Sequence, residues 1–269
     1  MTATLARAPG TARVEVVETS AGPIRLHLPA PPVGHSARPS RGLLVLHGMD
    51  RAAARYARQW GPLARSGQQI AAPEFERARF PDWRAYNLAG MWDRRDRARP
   101  PERWLFGAIE ELRQWMARGY DLDRVDLFGH SAGGQLVARH ALFAPPSALP
   151  GAMIAANAGW YTLPDQTVPF PYGLGAAPAR PELGRVLARP LTLLVGDRDT
   201  DRSHHGLRRD AGAIAQGATR LDRAHHCFTR AAGMAARLDT PLGWRLCVVP
   251  GAGHSNGQIT AAARRLLDA

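Results

Sequence analysis

The sequence predicts an α/β fold in which helices cover both faces of a mostly parallel central sheet. The first observation is a series of short apolar runs that alternate with stretches of helical periodicity along the 269 residues. The second is that glycines and polar residues follow directly after these runs, as they do at the carboxyl ends of parallel strands. The third is a serine bracketed by glycines, GHSAGG at 129–134, immediately after one of the runs.

Apolar runs place the strands, and helical periodicity places the helices. The clearest helix covers 103–118, where apolar residues recur at helical spacing from Leu105 to Met116. Ala21-Gly22-Pro23 separates the first two strands and predicts a short hairpin. The strands are predicted at 13–19, 24–28, 43–46, 69–72, 125–128, 152–156, 191–195 and 245–249. The helices are predicted at 51–65, 103–118, 135–143, 225–238 and 258–267.

One domain over residues 1–269 accounts for this pattern. Residues 1–40 are expected to form the N-terminal hairpin and a Pro-rich loop, and 159–190 a short insertion with too few residues for a large cap. No apolar stretch approaches the ~20 residues that span a bilayer, so no membrane association is expected. The first residues, MTATLARAPGTARVEV, lack the apolar core of a signal peptide, and a cytoplasmic location is expected.

The formal net charge of +12 comes from arginine alone, since the chain contains no lysine. Arginines are spread from end to end, and Asp96 interrupts the densest patch at 94–99. This distribution indicates biased composition rather than nucleic-acid binding, with a preference for anionic substrates as a secondary interpretation. Cys227 and Cys247 are expected to be free thiols, which excludes a disulfide framework.

Ser131 is the candidate nucleophile. It lies in a G-x-S-x-G between a predicted strand and a predicted helix, where a sharp turn exposes the hydroxyl. The residues two before and two after the serine must be small in such a turn, and Gly129 and Gly133 meet that need. The backbone N–H of Ala132 would then be free to donate to a developing oxyanion.

A serine hydroxyl needs an adjacent base, and the base needs an orienting acid. His254 is the best base, because the Gly-rich loop PGAGH after the last strand can carry its ring to the serine. The acid is left open among Asp197, Asp199 and Asp201 in one loop, with Asp199 favoured because it lies far enough past its strand to turn back.

The other histidines give weaker signals. His47 is expected to support the loop after its own strand, and the pairs at 204–205 and 225–226 are expected on the surface or on a helix face. Adjacent histidines can bind metal, but no carboxylate or cysteine spacing supports a site here. No cofactor and no metal are therefore expected.

These motifs resemble those of the α/β-hydrolase-fold serine hydrolases. The matching stretches are LLVLHGM (43–49), GHSAGG (129–134), LLVGDRD (193–199) and PGAGH (250–254), so the likeness extends from Arg41 to the C-terminus. Within that superfamily the chain is most similar to compact esterases of the dienelactone-hydrolase and polyhydroxyalkanoate-depolymerase type. It departs from dienelactone hydrolases proper, whose nucleophile is cysteine, and it has no HGGG stretch.

The resemblance implies a nucleophile at Ser131, an acid at Asp199 and a base at His254. It also implies that the amides of Met49 and Ala132 form the oxyanion hole. Separately, aromatic residues past a strand end suggest a wall for an acyl or polymer chain, with a packed loop core as the equal alternative. The candidate substrate-binding residues are Trp160, Tyr161 and His130.

The leading hypothesis is hydrolysis of a small-molecule or oligomeric carboxylic ester through an acyl-enzyme. An amidase, a peptidase or an acyltransferase would use the same residues. A catalytically silent binding protein on this fold is the alternative of another class, and the intact order of Ser131, Asp199 and His254 argues against it. Nucleic-acid binding rests on charge alone and is not expected.

Overall fold

A single sheet organises the molecule. The computed structural model describes residues 11–30, 39–64, 68–147 and 149–268. Eight strands lie in the order β1-β2-β4-β3-β5-β6-β7-β8. Their bounds are β1 Arg13–Val17, β2 Ile24–Leu28, β3 Arg41–Leu46, β4 Gln68–Glu74, β5 Arg124–His130, β6 Met153–Ala156, β7 Leu191–Gly196 and β8 Trp244–Val249.

The pairing confirms the predicted mostly parallel sheet. Strands β4, β3, β5, β6, β7 and β8 pair in parallel along the sheet order. The N-terminal hairpin adds antiparallel pairing at one edge, β1 with β2 and β2 with β4. The carboxyl ends of the parallel strands therefore meet at one edge of the sheet, which is where loops from β3, β5, β7 and β8 can converge.

The longer helices confirm the predicted ones, with ends that differ by up to five residues. Their bounds are α1 Ala53–Trp60, α2 Leu105–Tyr120, α3 Ala132–Phe143, α4 Leu183–Leu187, α5 Ala211–Ile214, α6 Arg220–Arg237 and α7 Asn256–Asp268. The first helix ends before the predicted residue 65, because Gly61 and Pro62 begin a short 3-10 turn. The four- and five-residue helices α5 and α4 were not predicted, since so few residues carry no periodicity. The N-terminal 1–10 and most of the Pro-rich loop, 31–38, lie outside the described residues.

Alternate residues of the central strand β3 face two separate cores. Leu43 and Val45 pack in a layer with Trp60 of α1 and Ile259 of α7. Leu44 and Leu46 lie in the larger core on the opposite face, which includes residues of α2, α3 and α6. Both faces of the sheet are thus covered, as the continuous apolar runs predicted. Among the described ranges, no helix is long and apolar enough to cross a membrane.

Glu74 links the antiparallel edge to the parallel sheet. Its carboxylate on β4 accepts hydrogen bonds from Arg25 Nε at 3.0 Å and pairs with His27 Nε2 at 2.9 Å, both on β2. The hydrogen bond from Arg25 lowers the pKa of Glu74 from 4.5 to about 2, against an opposing effect of burial. A carboxylate with a depressed pKa stabilises the fold above its unfolded pKa, and this contribution is lost as the pH falls through the folded value.

Replacing this carboxylate should therefore cost stability in a pH-dependent way. Glu74→Gln is expected to lower the free energy of unfolding at pH 7 by about 1 kcal/mol, a value discounted because the ion pair is partly exposed to solvent. The difference from wild type should shrink steadily as the pH falls from about 4.5 toward 2. Urea unfolding at pH 7, 5 and 3 measures it, and a difference that stays constant across this range would contradict the assignment.

Candidate active site

Ser131 occupies a strained turn between β5 and α3. Its φ of 56° and ψ of −111° lie in a region that residues with a side chain rarely adopt. A Cβ on Gly129 would lie 2.2 Å from the Gly133 oxygen, and a Cβ on Gly133 would lie 2.4 Å from the Leu46 oxygen. Both glycines are therefore required for the strand and helix to approach so closely, as the motif predicted.

Three side chains from different loops are hydrogen-bonded in series at this turn. His254 Nε2 lies 3.1 Å from Ser131 Oγ, and His254 Nδ1 lies 2.8 Å from Asp199 Oδ2. Asp199 is buried, and the side chain of His254 keeps 14 % of its surface exposed. The arrangement allows His254 to accept the hydroxyl proton while Asp199 holds the ring and balances its charge.

The structure separates the three candidate acids. Asp199 contacts His254, whereas Asp197 accepts the N–H of Gly251 at 2.7 Å. Asp201 accepts the backbone N–H and the hydroxyl of Ser203 within its own turn. Asp199 is thus the aspartate that contacts His254, and Asp197 is hydrogen-bonded to the loop that carries His254.

The loop after β3 lies directly against Ser131. A Cβ built on Gly48 would be 3.6 Å from Ser131 Cβ, so the segment that leads into Met49 passes close to the serine. Ala132 begins α3, where first-turn amides have no partner inside the helix. Within the described ranges, the N–H groups of Met49 and Ala132 have no acceptor. Both predicted oxyanion donors therefore lie in segments next to the serine, and neither has an acceptor among the described residues.

His47 fixes the conformation of that loop. It is fully buried, its Nδ1 lies 2.9 Å from the Gly48 oxygen, and its Nε2 accepts the N–H of Phe75. Burial lowers the pKa of His47 to about 4, so the ring is neutral at pH 7. The Tyr86 hydroxyl donates to the His47 carbonyl at 2.8 Å. This confirms the supporting position expected for His47.

A cavity of about 370 Å³ opens above Ser131. It is walled by the loop after β3, by α1 and by the loops that follow β7 and β8. Its lining is polar and rich in imidazole; besides Ser131 and His254 it includes Met49, Arg55, Tyr56, His130, His204 and His205. Tyr56 Oη lies 2.9 Å from His130 Nδ1, so His130 is held at the wall of the cavity.

Two solved structures resemble this chain over nearly its whole length. Poly(aspartic acid) hydrolase-1 from Sphingomonas sp. KT-1 is 32% identical, with a TM-score of 0.88 over 97% of this chain and 100% of that one. A poly(3-hydroxybutyrate) depolymerase from Bordetella parapertussis is also 32% identical, with a TM-score of 0.87 over 98% of this chain and 92% of that one.

The chain belongs to the α/β serine hydrolases.

A more distant likeness shows the fold alone. A putative dienelactone hydrolase from Klebsiella pneumoniae matches this hydrolase with a TM-score of 0.58 at 16% identity, over 96% of each chain. No protein-family model and no curated protein matches the sequence. The assignment to the serine hydrolases therefore rests on the two structures at 32% identity.

Two of the three predicted substrate-binding residues of the hydrolase lie away from the cavity at Ser131. Trp160 and Tyr161 are buried, and neither lines the cavity at Ser131. The Arg139 guanidinium stacks 4.0 Å from the Trp160 ring centroid, and Gln216 hydrogen-bonds both backbone groups of Tyr161. The expectation that these aromatics wall the cavity is wrong, and the packed loop core is what the structure contains. His130 does line the cavity.

Sequence reasoning missed two residues of the site. His204 and His205 were set aside as surface or helix-face residues; His205 is exposed, and both line the cavity of the hydrolase. The two rings stack on each other with centroids 4.7 Å apart. The rings of His204 and His254 pack edge to face with centroids 4.8 Å apart. Their position a few residues after Asp199 was the available signal, because the loop after β7 lies at the same edge of the sheet as Ser131.

Gly129 and Gly133 flank Ser131 in the turn between β5 and α3, here called the elbow, and their close contacts lead to a prediction for this hydrolase. Gly133→Ala should lower the free energy of unfolding by about 2–3 kcal/mol, since its methyl group would collide with the backbone oxygens of Leu46 and His47. Gly233→Ala is the matched control, because a Cβ there meets nothing within 4 Å and the residue lies inside α6. That variant should be stabilised by about 0.5–1 kcal/mol. Thermal melts compare the two, and equal Tm values would contradict the close approach at the elbow.

Proposed function

We propose that this chain hydrolyses a carboxylic ester through an acyl-enzyme on Ser131. The observation that carries the proposal is the 3.1 Å contact between Ser131 Oγ and His254 Nε2, combined with the 2.8 Å contact between His254 Nδ1 and Asp199. A serine hydroxyl placed next to an oriented imidazole at the mouth of a cavity is the minimum that acyl transfer requires. The substrate is a small-molecule or oligomeric ester.

In the first half-reaction, Ser131 Oγ attacks the carbonyl carbon while its proton moves to His254 Nε2. The carbonyl oxygen gains the negative charge of the tetrahedral intermediate. Asp199 stabilises the imidazolium and keeps Nδ1 protonated. Collapse of the intermediate breaks the bond to the leaving group, which takes the proton from His254 Nε2 and departs as the alcohol.

The amides of Met49 and Ala132 are the proposed donors to the oxyanion. Ala132 follows Ser131 and Met49 follows Gly48, whose backbone approaches Ser131; neither amide has an acceptor in the described ranges. Backbone donors fixed before the reaction stabilise the developing charge without reorganisation, which is worth several kcal/mol in a dry site. The buried His47 and Tyr86 support this loop and so keep the Met49 amide in place.

In the second half-reaction, water takes the place of the leaving group. His254 removes one of its protons, hydroxide adds to the acyl carbon, and Ser131 leaves with that proton restored. The product is the free carboxylic acid. Because the cavity is open and the residues that the structure describes form no large cap over it, water reaches the acyl-enzyme directly.

An amide in an acidic polymer is the second candidate substrate. The formal net charge of +12 favours it, whereas Arg55 in the cavity wall is already paired with Asp50. One structural relative at 32% identity is a poly(aspartic acid) hydrolase, whose named polymer is joined by amide bonds, whereas the other is a depolymerase of a polyester. The same Ser131 chemistry serves both bonds.

A substrate panel distinguishes these proposals. Rates are measured on p-nitrophenyl acetate, on oligomers of 3-hydroxybutyrate and on poly(aspartic acid), with product acids identified by mass spectrometry. We expect the two esters to be cleaved at rates that exceed those on the amide polymer. Faster cleavage of poly(aspartic acid) would favour the second candidate, and activity on none of the three would contradict acyl hydrolysis of either class.

A further inference from the structure

A buried arginine lies behind the triad, the three hydrogen-bonded residues Ser131, His254 and Asp199. Arg220, the first residue of α6, is 1 % exposed, and its Nη1 donates to Asp199 Oδ1 at 3.2 Å. The other oxygen of Asp199 faces His254 Nδ1. A buried guanidinium must be paired to remain charged, and Asp199 is its ion-pair partner among the described residues. Arg220 therefore holds one carboxylate oxygen of Asp199, and His254 holds the other.

The same guanidinium reaches a second residue of the cavity. Arg220 Nη2 donates to His204 Nδ1 at 3.2 Å, and the backbone N–H of Gly206 donates to the same nitrogen at 3.0 Å. A guanidinium and a backbone amide have only hydrogens to offer, so His204 Nδ1 must be the acceptor of both. The ring is thereby fixed as the neutral tautomer that carries its hydrogen on Nε2.

The surroundings of His204 disfavour a second proton. Burial lowers the pKa of His204, and the nearby charges of Arg220, His254 and His205 lower it further, against the effect of Asp199. Adding a proton at Nδ1 would break both accepted hydrogen bonds. His204 thus presents a neutral N–H over the range in which a serine hydrolase works.

The hydrogen on Nε2 is available to a ligand. His204 lines the cavity with Ser131 and His254, and its Nε2 has no partner among the described residues. The His204 ring meets the His254 ring edge-on, with centroids 4.8 Å apart. In the proposed reaction His254 protonates the leaving group, so a donor packed against its ring faces the leaving-group half of the substrate.

We propose that Arg220 is a positioning residue that holds Asp199 and His204 together, and that His204 Nε2–H binds a carbonyl or carboxylate oxygen on the leaving-group side of the substrate. This assignment rests on the proposed acyl hydrolysis at Ser131. It selects esters whose alcohol carries an oxygen acceptor near the scissile bond over esters of plain alcohols. A cationic leaving group is disfavoured, because His204 and Arg220 offer only hydrogens.

The selectivity of His204 is tested with two acetyl esters of secondary alcohols, 3-acetoxybutyrate and sec-butyl acetate, which differ by the carboxylate on the leaving group. His204→Phe keeps a ring and removes the donor. It should lower kcat/KM on 3-acetoxybutyrate about tenfold more than it lowers kcat/KM on sec-butyl acetate. His204→Gln, whose amide nitrogen reaches the position of Nε2, should recover part of the loss. Equal changes on both esters, or none, would overturn the assignment.

Arg220 is tested with a matched arginine. Arg223 is equally buried on the same helix, but it donates to the backbone oxygens of Gly217, Gly159 and Arg208 rather than to the triad. Arg220→Met should move the acid limb of the pH–rate profile upward by about 0.5–1 pH unit, since an uncompensated Asp199 stabilises the imidazolium. Arg223→Met should lower Tm and leave the limb in place. The same shift in both variants, or in neither, would contradict the positioning by Arg220.

A folding failure and a failed proposal give different results. If Arg220→Met does not fold, Arg220→Lys keeps a charge beside Asp199 but cannot reach His204 as well; it should keep the acid limb and lose the preference for 3-acetoxybutyrate. A Lys variant that keeps this preference would overturn the double contact. Labelling of wild-type Ser131 by a fluorophosphonate separates the proposed acyl-enzyme from the inference about His204 and Arg220. Labelling without the predicted selectivity refutes this inference alone. No labelling refutes the acyl-enzyme itself.

Discussion

Ser131→Ala is expected to lower kcat for ester hydrolysis by on the order of 10⁵-fold or more, with the fold unchanged. The variant removes the atom that forms the acyl bond, and the strained turn tolerates a smaller side chain than serine. Steady-state rates on p-nitrophenyl acetate measure the effect, and far-UV circular dichroism with a thermal melt checks the fold. Activity within tenfold of wild type would remove Ser131 as the nucleophile.

Asp199→Asn is expected to lower kcat/KM by at least about 10²-fold, and up to about 10⁴-fold. An amide in place of the carboxylate cannot balance the imidazolium, and its N–H₂ group would impose the wrong tautomer on His254. The substitution also leaves the buried Arg220 without its ion-pair partner, so Tm should fall as well. Rates measured well below the new Tm separate the catalytic loss from unfolding.

Asp197→Asn is the matched control for that variant. Asp197 lies two residues away in the same loop and accepts one backbone N–H from Gly251, which an Asn oxygen can still accept. We expect its kcat/KM to stay within about fivefold of wild type. If Asp197→Asn proves the more damaging of the two, Asp197 rather than Asp199 is the acid, and the hydrogen bond from Asp199 to His254 is not the one that catalysis uses.

Much of the fold was predictable because strands and helices alternate with clear patterns. The buried strand β7 is a continuous apolar run, and α2 carries a long helical period, so both were found within a residue or two. The short helices α4 and α5 were missed because they are too short to show helical periodicity. Each is capped by one side chain, Glu182 or Asp210, that accepts a backbone N–H of its helix. Local hydrogen bonds, rather than an apolar face, define them.

The residues of the site also fall into those that the sequence predicted and those that it did not. Ser131 and His254 were predictable, because the elbow glycines and the loop after the last strand are local features at one edge of the sheet. The spacing favoured Asp199 without excluding Asp197 and Asp201, and it gave no sign of Arg220, which donates to Asp199 from a helix 21 residues further along the chain. A contact of that kind is made by tertiary packing and leaves no trace in the spacing of the motif.

The aromatic pair after β6 illustrates the reverse error. Trp160 and Tyr161 follow a strand end at the catalytic edge, which suggested a substrate wall. The structure turns Trp160 inward, where Arg139 and Arg208 stack on its ring at 4.0 and 5.2 Å from the centroid. Arginines that use aromatic faces as partners are difficult to foresee in a chain whose arginines are spread throughout.

The central claim is that Ser131 is a nucleophile activated by His254, and covalent labelling tests it most directly. The purified chain is treated with a fluorophosphonate, and the adduct is located by intact-mass and peptide mass spectrometry. We predict one adduct per chain, on the peptide that contains Ser131, none on Ser131→Ala, and labelling of His254→Ala slowed by at least about 10²-fold. No adduct on the wild type, or an adduct on another residue that persists in Ser131→Ala, would contradict the claim.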